Sequence, residues 1–211
     1  EISECLVGSE MCIRDSDQPH RMAPHVLRHL LEAMNISAND KENIMALKLV
    51  DIDDRLIHGQ VATTWIPDFG IESAIIVSDK VANDPVQKSV AGLAAPDIKV
   101  SVFGVDKFIE VLKKTELKKA TMVLFTNPID ALKLHENGLP FDYLNVSGMR
   151  FNDQRHRLHK NMSVTAEEKA AFEELIGLGV ECWMQTTTRD SKEPVSELCL
   201  LYTSPSPRDT R

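Results

Sequence analysis

One short segment of the sequence, residues 53–61 (DDRLIHGQV), brings together two carboxylates, a guanidinium and an imidazole. It follows an apolar, strand-like run at residues 47–52, and the residues after it have the pattern of a helix start. Backbone N–H groups at such a position favour a bound anion. The guanidinium of Arg55 is a planar donor suited to phosphate or carboxylate. We therefore predict that His58 carries a phosphoryl group, the simpler alternative being a surface turn with scattered charge.

Strand-like and helix-like patterns alternate from residue 46 onward. Asp84-Pro85 and Asn127-Pro128 have the composition of helix starts, and residues 165–168 form a capping-box sequence. Repeated β-α units predict an α/β fold: a single-domain, doubly wound, mostly parallel sheet with helices on both faces. The predicted strands cover residues 46–52, 73–77, 98–103, 121–125, 141–146, 162–164 and 180–187, and the predicted helices cover 58–68, 86–94, 105–114, 127–136 and 165–178.

Ligands of such sheets gather at the carboxyl ends of the strands. The segment containing His58, the pairs Ser78-Asp79 and Thr126-Asn127, and the pair Ser147-Gly148 each follow or end a predicted strand. We expect all four to lie on the same edge of the sheet. Fold class by itself names no function.

Both ends of the chain have the character of foreign sequence. Residues 6–15 and 199–209 can be encoded by nucleotide strings that are nearly reverse complements of each other, resembling a transposase adaptor. Residues 41–45 permit codons for a ribosome-binding site ahead of a start codon. We therefore expect translated adaptor at 1–16 and 199–211, a translated leader or upstream reading frame at 17–44, and one domain at 45–198.

The composition of residues 45–198 excludes several classes of protein. This segment has 18 Lys and Arg against 23 Asp and Glu, which disfavours nonspecific nucleic-acid binding. It holds one cysteine, Cys182, so an internal disulfide is excluded and a reducing cytoplasm fits. No apolar run approaches the ~20 residues of a membrane span. We expect a cytoplasmic domain.

Two motifs resemble the signatures of a known family. Residues 53–61, with Trp65 following, resemble the active-site signature of the IIB components of the mannose/fructose/sorbose family of the bacterial phosphotransferase system. Residues 145–152 (NVSGMRFN) resemble its second signature, which usually has a glycine where this chain has Ser147. The resemblance extends over residues 45–198 and implies a phosphotransferase-system IIB domain.

The resemblance implies a phosphotransferase in which His58 takes a phosphoryl group from a IIA phosphohistidine, at Nδ1, and passes it to a sugar. Arg55 and the backbone around Ile57, Gly59 and Gln60 would bind the phosphate. Asp54 would orient Arg55 or the imidazole, Asp53 would cap the end of the strand, and Arg150 would support the site.

The implied partners are the IIA component, the membrane subunits IIC and IID and the sugar, with a homodimer allowed and nucleic acid excluded. IIC and IID would hold the protein at the inner face of the membrane. The implied chemistry requires no cofactor and no metal. The resemblance does not identify the sugar.

Other readings of the sequence stay open at this point. A receiver domain would need an acceptor aspartate after the third strand, where this chain has Phe103-Gly104. A non-catalytic, partner-binding relative of the IIB fold would lack a phosphorylated His58. The basic segment 150–160, with His156 and His159, fits a docking surface for an acidic partner or a solvated loop, and it has no cysteine to support a zinc site.

Overall fold

The computed structural model describes residues 46–201, and the predictions made for residues 1–44 and 202–211 lie outside them. The strands are β1 (Leu47–Asp53), β2 (Ser73–Val77), β3 (Lys99–Phe103), β4 (Thr121–Phe125), β5 (Tyr143–Gly148), β6 (His156–His159), β7 (Met162–Val164), β8 (Glu181–Met184) and β9 (Glu193–Pro194). The helices are α1 (Ile66–Asp68), α2 (Asp79–Ala82), α3 (Pro85–Val90), α4 (Val105–Leu112), α5 (Pro128–Asn137), α6 (Ala166–Gly177) and α7 (Val195–Leu201), and a π-helical turn, Val61–Trp65, precedes α1.

The main sheet has the strand order β3-β2-β4-β1-β5-β8-β9. All of its pairs are parallel except β8 with β9, and β6 and β7 form a separate antiparallel pair. This architecture confirms the predicted α/β class. It also excludes the receiver domain, in which the first strand lies between the second and third, whereas β1 here lies between β4 and β5. The carboxyl end of β1 therefore opens at the middle of the sheet edge.

Apolar side chains pack on both faces of the sheet. On one face Phe108, Leu134 and Phe172 from α4, α5 and α6 are almost fully buried. On the other face Trp65, from the turn before α1, is 1% exposed. Burying each large apolar side chain stabilises the fold by roughly 1.5–3 kcal/mol. The two layers hold the strands, and hence the residues at their carboxyl ends, in fixed positions.

Three helices have side-chain caps at their N-termini, at the positions that the sequence predicted. Asp84 accepts hydrogen bonds from the backbone of Val86 and Gln87 at the start of α3. Asn127 caps α5, and the predicted capping box between Thr165 and Glu168 is formed at the start of α6. Each of these caps satisfies N–H groups that have no partner within the helix.

The helical segment after His58 differs from the prediction of one helix over residues 58–68. The N–H of Ile66 donates to the carbonyl of Val61, five residues back, and α1 then covers only three residues. Pro67 has no N–H and cannot donate to the carbonyl of Thr63, which prevents a regular α-helix here.

The sequence missed four further elements: α2, β6, β9 and α7. Strand β6 is largely polar, so its pattern resembled a loop. Helix α7 crosses the boundary expected at residue 198, because it continues to Leu201 and buries Cys199 against the core. The extent of the foreign C-terminal segment stays a prediction.

Candidate functional site

Asp53, the last residue of β1, lies at the centre of the candidate site. Its fully buried carboxylate accepts two hydrogen bonds from the guanidinium of Arg55, from Nε at 2.9 Å and from Nη2 at 2.7 Å. The backbone N–H of Arg55 also donates to this carboxylate (2.9 Å). The hydrogen bonds to Asp53 raise the pKa of Arg55 above its ordinary value. This bidentate contact fixes the plane of the guanidinium.

The imidazole of His58 faces the same carboxylate. Its Nε2 lies 3.6 Å from Oδ2 of Asp53, and the side chain is 24% exposed. Both ring nitrogens are buried, and neither has a hydrogen-bond partner among the described residues. The backbone carbonyl of His58 accepts from the N–H of Ala62 at 2.9 Å, so the histidine lies at the start of the helical segment. An N–H at Nε2 would point at Asp53 and leave the lone pair on Nδ1.

The turn between Asp53 and His58 has a strained residue and a close contact with β5. Leu56 has a φ of 62°, the left-handed conformation that costs a residue with a side chain roughly 1–3 kcal/mol. A Cβ on Gly148 would lie 3.1 Å from Nη2 of Arg55. Any larger residue at position 148 would push the guanidinium a few tenths of an ångström away from the β5 backbone, so glycine allows the closest approach.

Asp54 belongs to a separate network of charged side chains. It accepts from Nε of Arg150 and from Nη1 of Arg155, both at 2.9 Å. Arg155 is 8% exposed and also makes a bidentate contact with Glu168, at 2.9 and 2.5 Å. Glu168 is the capping-box residue of α6, whose carboxylate accepts from the backbone N–H of Thr165. The network ties the turn and Arg150 to the start of a helix.

These contacts correct the role expected of Asp54 and add to the one expected of Asp53. Asp54 was expected to orient Arg55 or the imidazole, but it binds Arg150 and Arg155. Asp53 was expected to cap the strand; its carboxylate accepts the backbone N–H of Arg55 at the strand end, and it also binds the guanidinium of Arg55 and faces His58. The strand extends one residue further than predicted, so the side chain of Asp53 follows the strand alternation into the site.

The other predicted phosphate-binding residues surround His58 without sharing one environment. Ile57 is buried in the core, whereas Gly59 and Gln60 are exposed. The side-chain oxygen of Gln60 accepts from Nη1 of Arg55 at 3.3 Å. A Cβ placed on Gly59 would have no described atom within 4 Å, so there is open space beside this residue. Phosphate binding by these residues stays a prediction.

A cleft of about 690 Å³ lies beside the turn. Asp54 and Leu56 line it from the turn, and Arg150 lines it from the second motif. Ser78 and Thr126, at the ends of β2 and β4, line it from the other side, and their hydroxyl oxygens are 3.0 Å apart. The cleft therefore gathers polar groups that follow β1, β2 and β4, as the sequence predicted for those strand ends, whereas His58 and the pair Ser147-Gly148 do not line it.

A buried polar cluster behind the site escaped the sequence analysis. Asp51 is fully buried, and its Oδ1 accepts from Nδ2 of Asn145 (2.8 Å) and from both the backbone N–H (3.1 Å) and the hydroxyl (2.9 Å) of Ser147. Nδ2 of Asn145 also donates to the carbonyl of Gln185 at 3.0 Å. The signal available in the sequence was an aspartate inside an apolar strand pattern.

The two histidines of the basic segment belong to a different strand, β6. His156 and His159 are the first and last residues of β6, and Nε2 of His159 is 3.5 Å from Glu193. Within residues 46–201, no group of three His, Cys, Asp or Glu side chains is placed to hold a metal ion. In the same part of the chain, no helix is long and apolar enough to cross a membrane.

Comparison with known proteins connects this geometry to one family. The family model for the PTS system sorbose subfamily IIB component matches residues 47–207. The fructose-specific EIIB component of Bacillus subtilis is 37% identical over 152 residues, covering 71% of this chain and 93% of the relative. The mannose-specific EIIAB component of Escherichia coli is 36% identical over 156 residues, covering 73% of this chain and 48% of that longer protein.

Comparison with solved structures indicates the same family as these sequence relatives. The IIBSor domain of the sorbose permease from Klebsiella pneumoniae superposes with a TM-score of 0.70 at 33% identity, covering 74% of this chain and 98% of that domain. The chain therefore belongs to the sorbose subfamily of phosphotransferase-system IIB components, the phosphotransfer subunits of sugar phosphotransferase systems.

Proposed function

We propose that His58 accepts a phosphoryl group from the phosphohistidine of a IIA component and donates it to a sugar, which makes the chain a protein-phosphohistidine–sugar phosphotransferase. The observation that carries this proposal is the contact between the imidazole of His58 and the carboxylate of Asp53, which also binds Arg55 in bidentate fashion. It combines a nucleophile, a group that orients it and a cation for the phosphate.

The geometry favours Nδ1 of His58 as the acceptor atom. With Nε2 turned towards Asp53, the lone pair of Nδ1 attacks phosphorus while the nitrogen–phosphorus bond of the donor breaks. Such a transfer depends mainly on positioning and on stabilising charge. Nε and Nη2 of Arg55 bind Asp53, so Nη1 is the nitrogen on the side of Gln60 that would reach the phosphoryl oxygens.

Transfer requires the imidazole to move, because both of its ring nitrogens are buried in this conformation. A side-chain rotation that keeps the ring near Asp53 and turns Nδ1 outward would expose the lone pair. Rotamer changes of this kind are common when proteins bind their partners. The exposed guanidinium of Arg150, held by Asp54, would add a second positive charge at the rim of the site.

In the second transfer, a sugar hydroxyl oxygen attacks phosphorus, the bond to His58 breaks and the hydroxyl proton is released. The sugar would be delivered by the membrane subunits IIC and IID, which would hold this protein at the inner face of the membrane. The name of the mannose-specific EIIAB relative, whose sequence extends well beyond the part matched here, supports a IIA component as the donor partner.

Labelled phosphoenolpyruvate, supplied with enzyme I, the histidine phosphocarrier and a IIA component, tests the proposal. We expect an acid-labile, base-stable label on the wild-type protein and none on His58→Ala. His159→Ala is the matched control and should take up as much label as the wild type, because the imidazole of His159 faces Glu193 and not the carboxylate of Asp53.

Equal label on His58→Ala would refute the assignment of His58. A wild-type protein that takes up no label, while a second IIB component in the same mixture does, would favour the non-catalytic relative instead.

A further inference from the structure

Two buried carboxyl groups lie on the same face of β1. Asp51 and Asp53 are two residues apart in an extended strand, so their side chains project to the same side of the sheet. Both are fully buried. The charge of Asp53 is matched by the guanidinium of Arg55, which leaves Asp51 as a second acid without a cation of its own among its hydrogen-bond partners.

The hydrogen bonds of Asp51 are distributed unevenly between its two oxygens. Oδ1 accepts from Asn145 and twice from Ser147, whereas Oδ2 is buried with no partner among the described residues. An ionised carboxylate would leave a charged oxygen buried and unpaired, which is costly. A proton on Oδ2 would be a donor without an acceptor, but a buried unpaired hydroxyl costs less than a buried unpaired charge, so the arrangement favours a neutral carboxyl group.

The surroundings of Asp51 act in the same direction. Burial, and then the charge of Asp53, raise the pKa of Asp51 to about 7, against the hydrogen bonds from Asn145 and Ser147. Two other titratable groups sense its charge: Arg55 in the turn and Tyr143 on β5. On its other side, β1 pairs with β4, where the partner of Asp51 is Leu124.

We propose that Asp51 is a positioning residue for phosphoryl transfer, which in its neutral form joins β1 to β5 and leaves Asp53 as the one negative charge behind His58, and whose ionisation disfavours the phosphorylated state. This inference rests on the proposed function of His58. It explains the role of Ser147 in this chain, because the hydroxyl that a glycine would lack donates to Asp51.

Ionisation of Asp51 and phosphorylation of His58 are linked because each adds negative charge to the same site. A phosphoryl group brings about −1.5 to −2 charges to the site. Asp51 transfers no atom in the reaction, but its ionisation would add a further negative charge at a buried position, where repulsion is screened less than in water. By reciprocity, phosphorylation of His58 must hold the proton on Asp51 more tightly by the same factor.

The first test compares the equilibrium between phosphorylated IIA and this protein at several pH values. From about pH 6 to about pH 8, we expect the equilibrium constant of the wild type to fall by at least about fivefold relative to Asp51→Asn, which cannot ionise. Asp97→Asn, an exposed substitution, is the control and should keep the wild-type profile. Identical profiles for the wild type and Asp51→Asn would overturn the inference.

Ser147→Ala provides a second variant that does not alter the acid itself. Loss of the hydroxyl removes a donor that favours the ionised form of Asp51, so the midpoint of the pH profile should move to higher pH. A midpoint that stays or moves to lower pH would contradict the proposed role. This test keeps the inference falsifiable if Asp51→Asn fails to fold.

Carbon NMR of the Asp51 carboxyl group gives a direct readout. We expect the carboxyl group of Asp51 to titrate with a midpoint near neutral pH in the unphosphorylated protein, and with a higher midpoint after phosphorylation of His58. A midpoint in the ordinary range for aspartate, or one that phosphorylation of His58 leaves unchanged, would refute the inference about Asp51. Such a result would leave the proposed function intact, provided that His58 takes up the labelled phosphoryl group. Absence of any label on His58 would instead refute the proposed function.

Discussion

Replacement of Arg155 should separate the stability of the fold from the geometry of the site. Arg155 is 8% exposed and binds both Glu168 and Asp54. Arg155→Met would leave the buried carboxylate of Glu168 without its cation, while Asp54 would keep Arg150. Breaking a buried ion pair by removing one partner costs about 3–5 kcal/mol. Because Glu168 keeps its capping contact with Thr165, we expect a loss of about 3 kcal/mol, at the lower end of that range.

Urea unfolding of the wild type, Arg155→Met and the double variant Arg155→Met, Glu168→Gln measures this effect. The double variant removes the unpaired charge and keeps a residue that can form the capping box, so most of the lost stability should return. Both variants should transfer the phosphoryl group more slowly than the wild type, because Asp54 and Arg150 would have lost their connection to helix α6 through Arg155. Lys107→Ala, which breaks the exposed pair with Glu110, is the control and should unfold close to the wild type.

Two outcomes would refute this reasoning. A loss below about 1 kcal/mol in Arg155→Met would show that the pair contributes no more than a surface salt bridge. A double variant with restored stability and wild-type phosphotransfer would show that the network has no part in positioning the site.

Two further predictions concern the acids of β1 and their partner. Arg55→Lys keeps the charge but loses the bidentate contact with Asp53, so phosphotransfer should fall on the order of 10²-fold, whereas Arg157→Lys, an exposed change over the Phe151 ring, should have no effect. Wild-type rates in Arg55→Lys would show that backbone groups suffice. Asp51 is neutral in the folded protein up to about pH 7 but ionises at its ordinary pKa of 3.8 when unfolded, so the free energy of unfolding should fall as pH rises from about 4 to about 7 and then level off. Asp51→Asn removes this dependence, so its stability relative to the wild type, measured by urea unfolding, should rise by roughly 3 kcal/mol between about pH 5 and about pH 8, and a constant difference would contradict a neutral Asp51.

Local patterns were sufficient to predict most of the fold. Strands β2, β4 and β7 were predicted with their observed bounds, because apolar residues there are bounded by clear breaks. The segment after His58 was predicted as one regular helix, but it begins with a π-helical turn. The sequence shows that Pro67 cannot donate a hydrogen bond, but it does not show how the preceding turn rearranges around the carbonyl that loses its donor. Short elements such as α2 and β9 carry too few residues for a periodic signal.

The candidate site was predictable in its membership but not in its contacts. His58, Arg55 and both aspartates of the turn were identified from residue type and spacing. The role expected of Asp54, orienting Arg55 or the imidazole, falls to Asp53 in addition to its cap, because one additional residue in β1 decides which side chain enters the site. The partners of Asp51 lie 94 and 96 positions further along the chain, and only the pairing of β1 with β5 brings them together.

The contact between Arg55 and Gly148 has a consequence for how this sequence can vary. The pairing of β1 with β5 shifts between Ile52 and Asp53, which brings Asp53 opposite Gly148 rather than Ser147. A Cβ at position 148 would then lie 3.1 Å from Nη2 of Arg55, so a larger residue there requires the guanidinium to shift by a few tenths of an ångström. Substitutions at residues 55 and 148 should therefore be coupled: a side chain at 148 is easier to accommodate when residue 55 has no guanidinium. The two motifs, far apart in the sequence, are linked by this one contact.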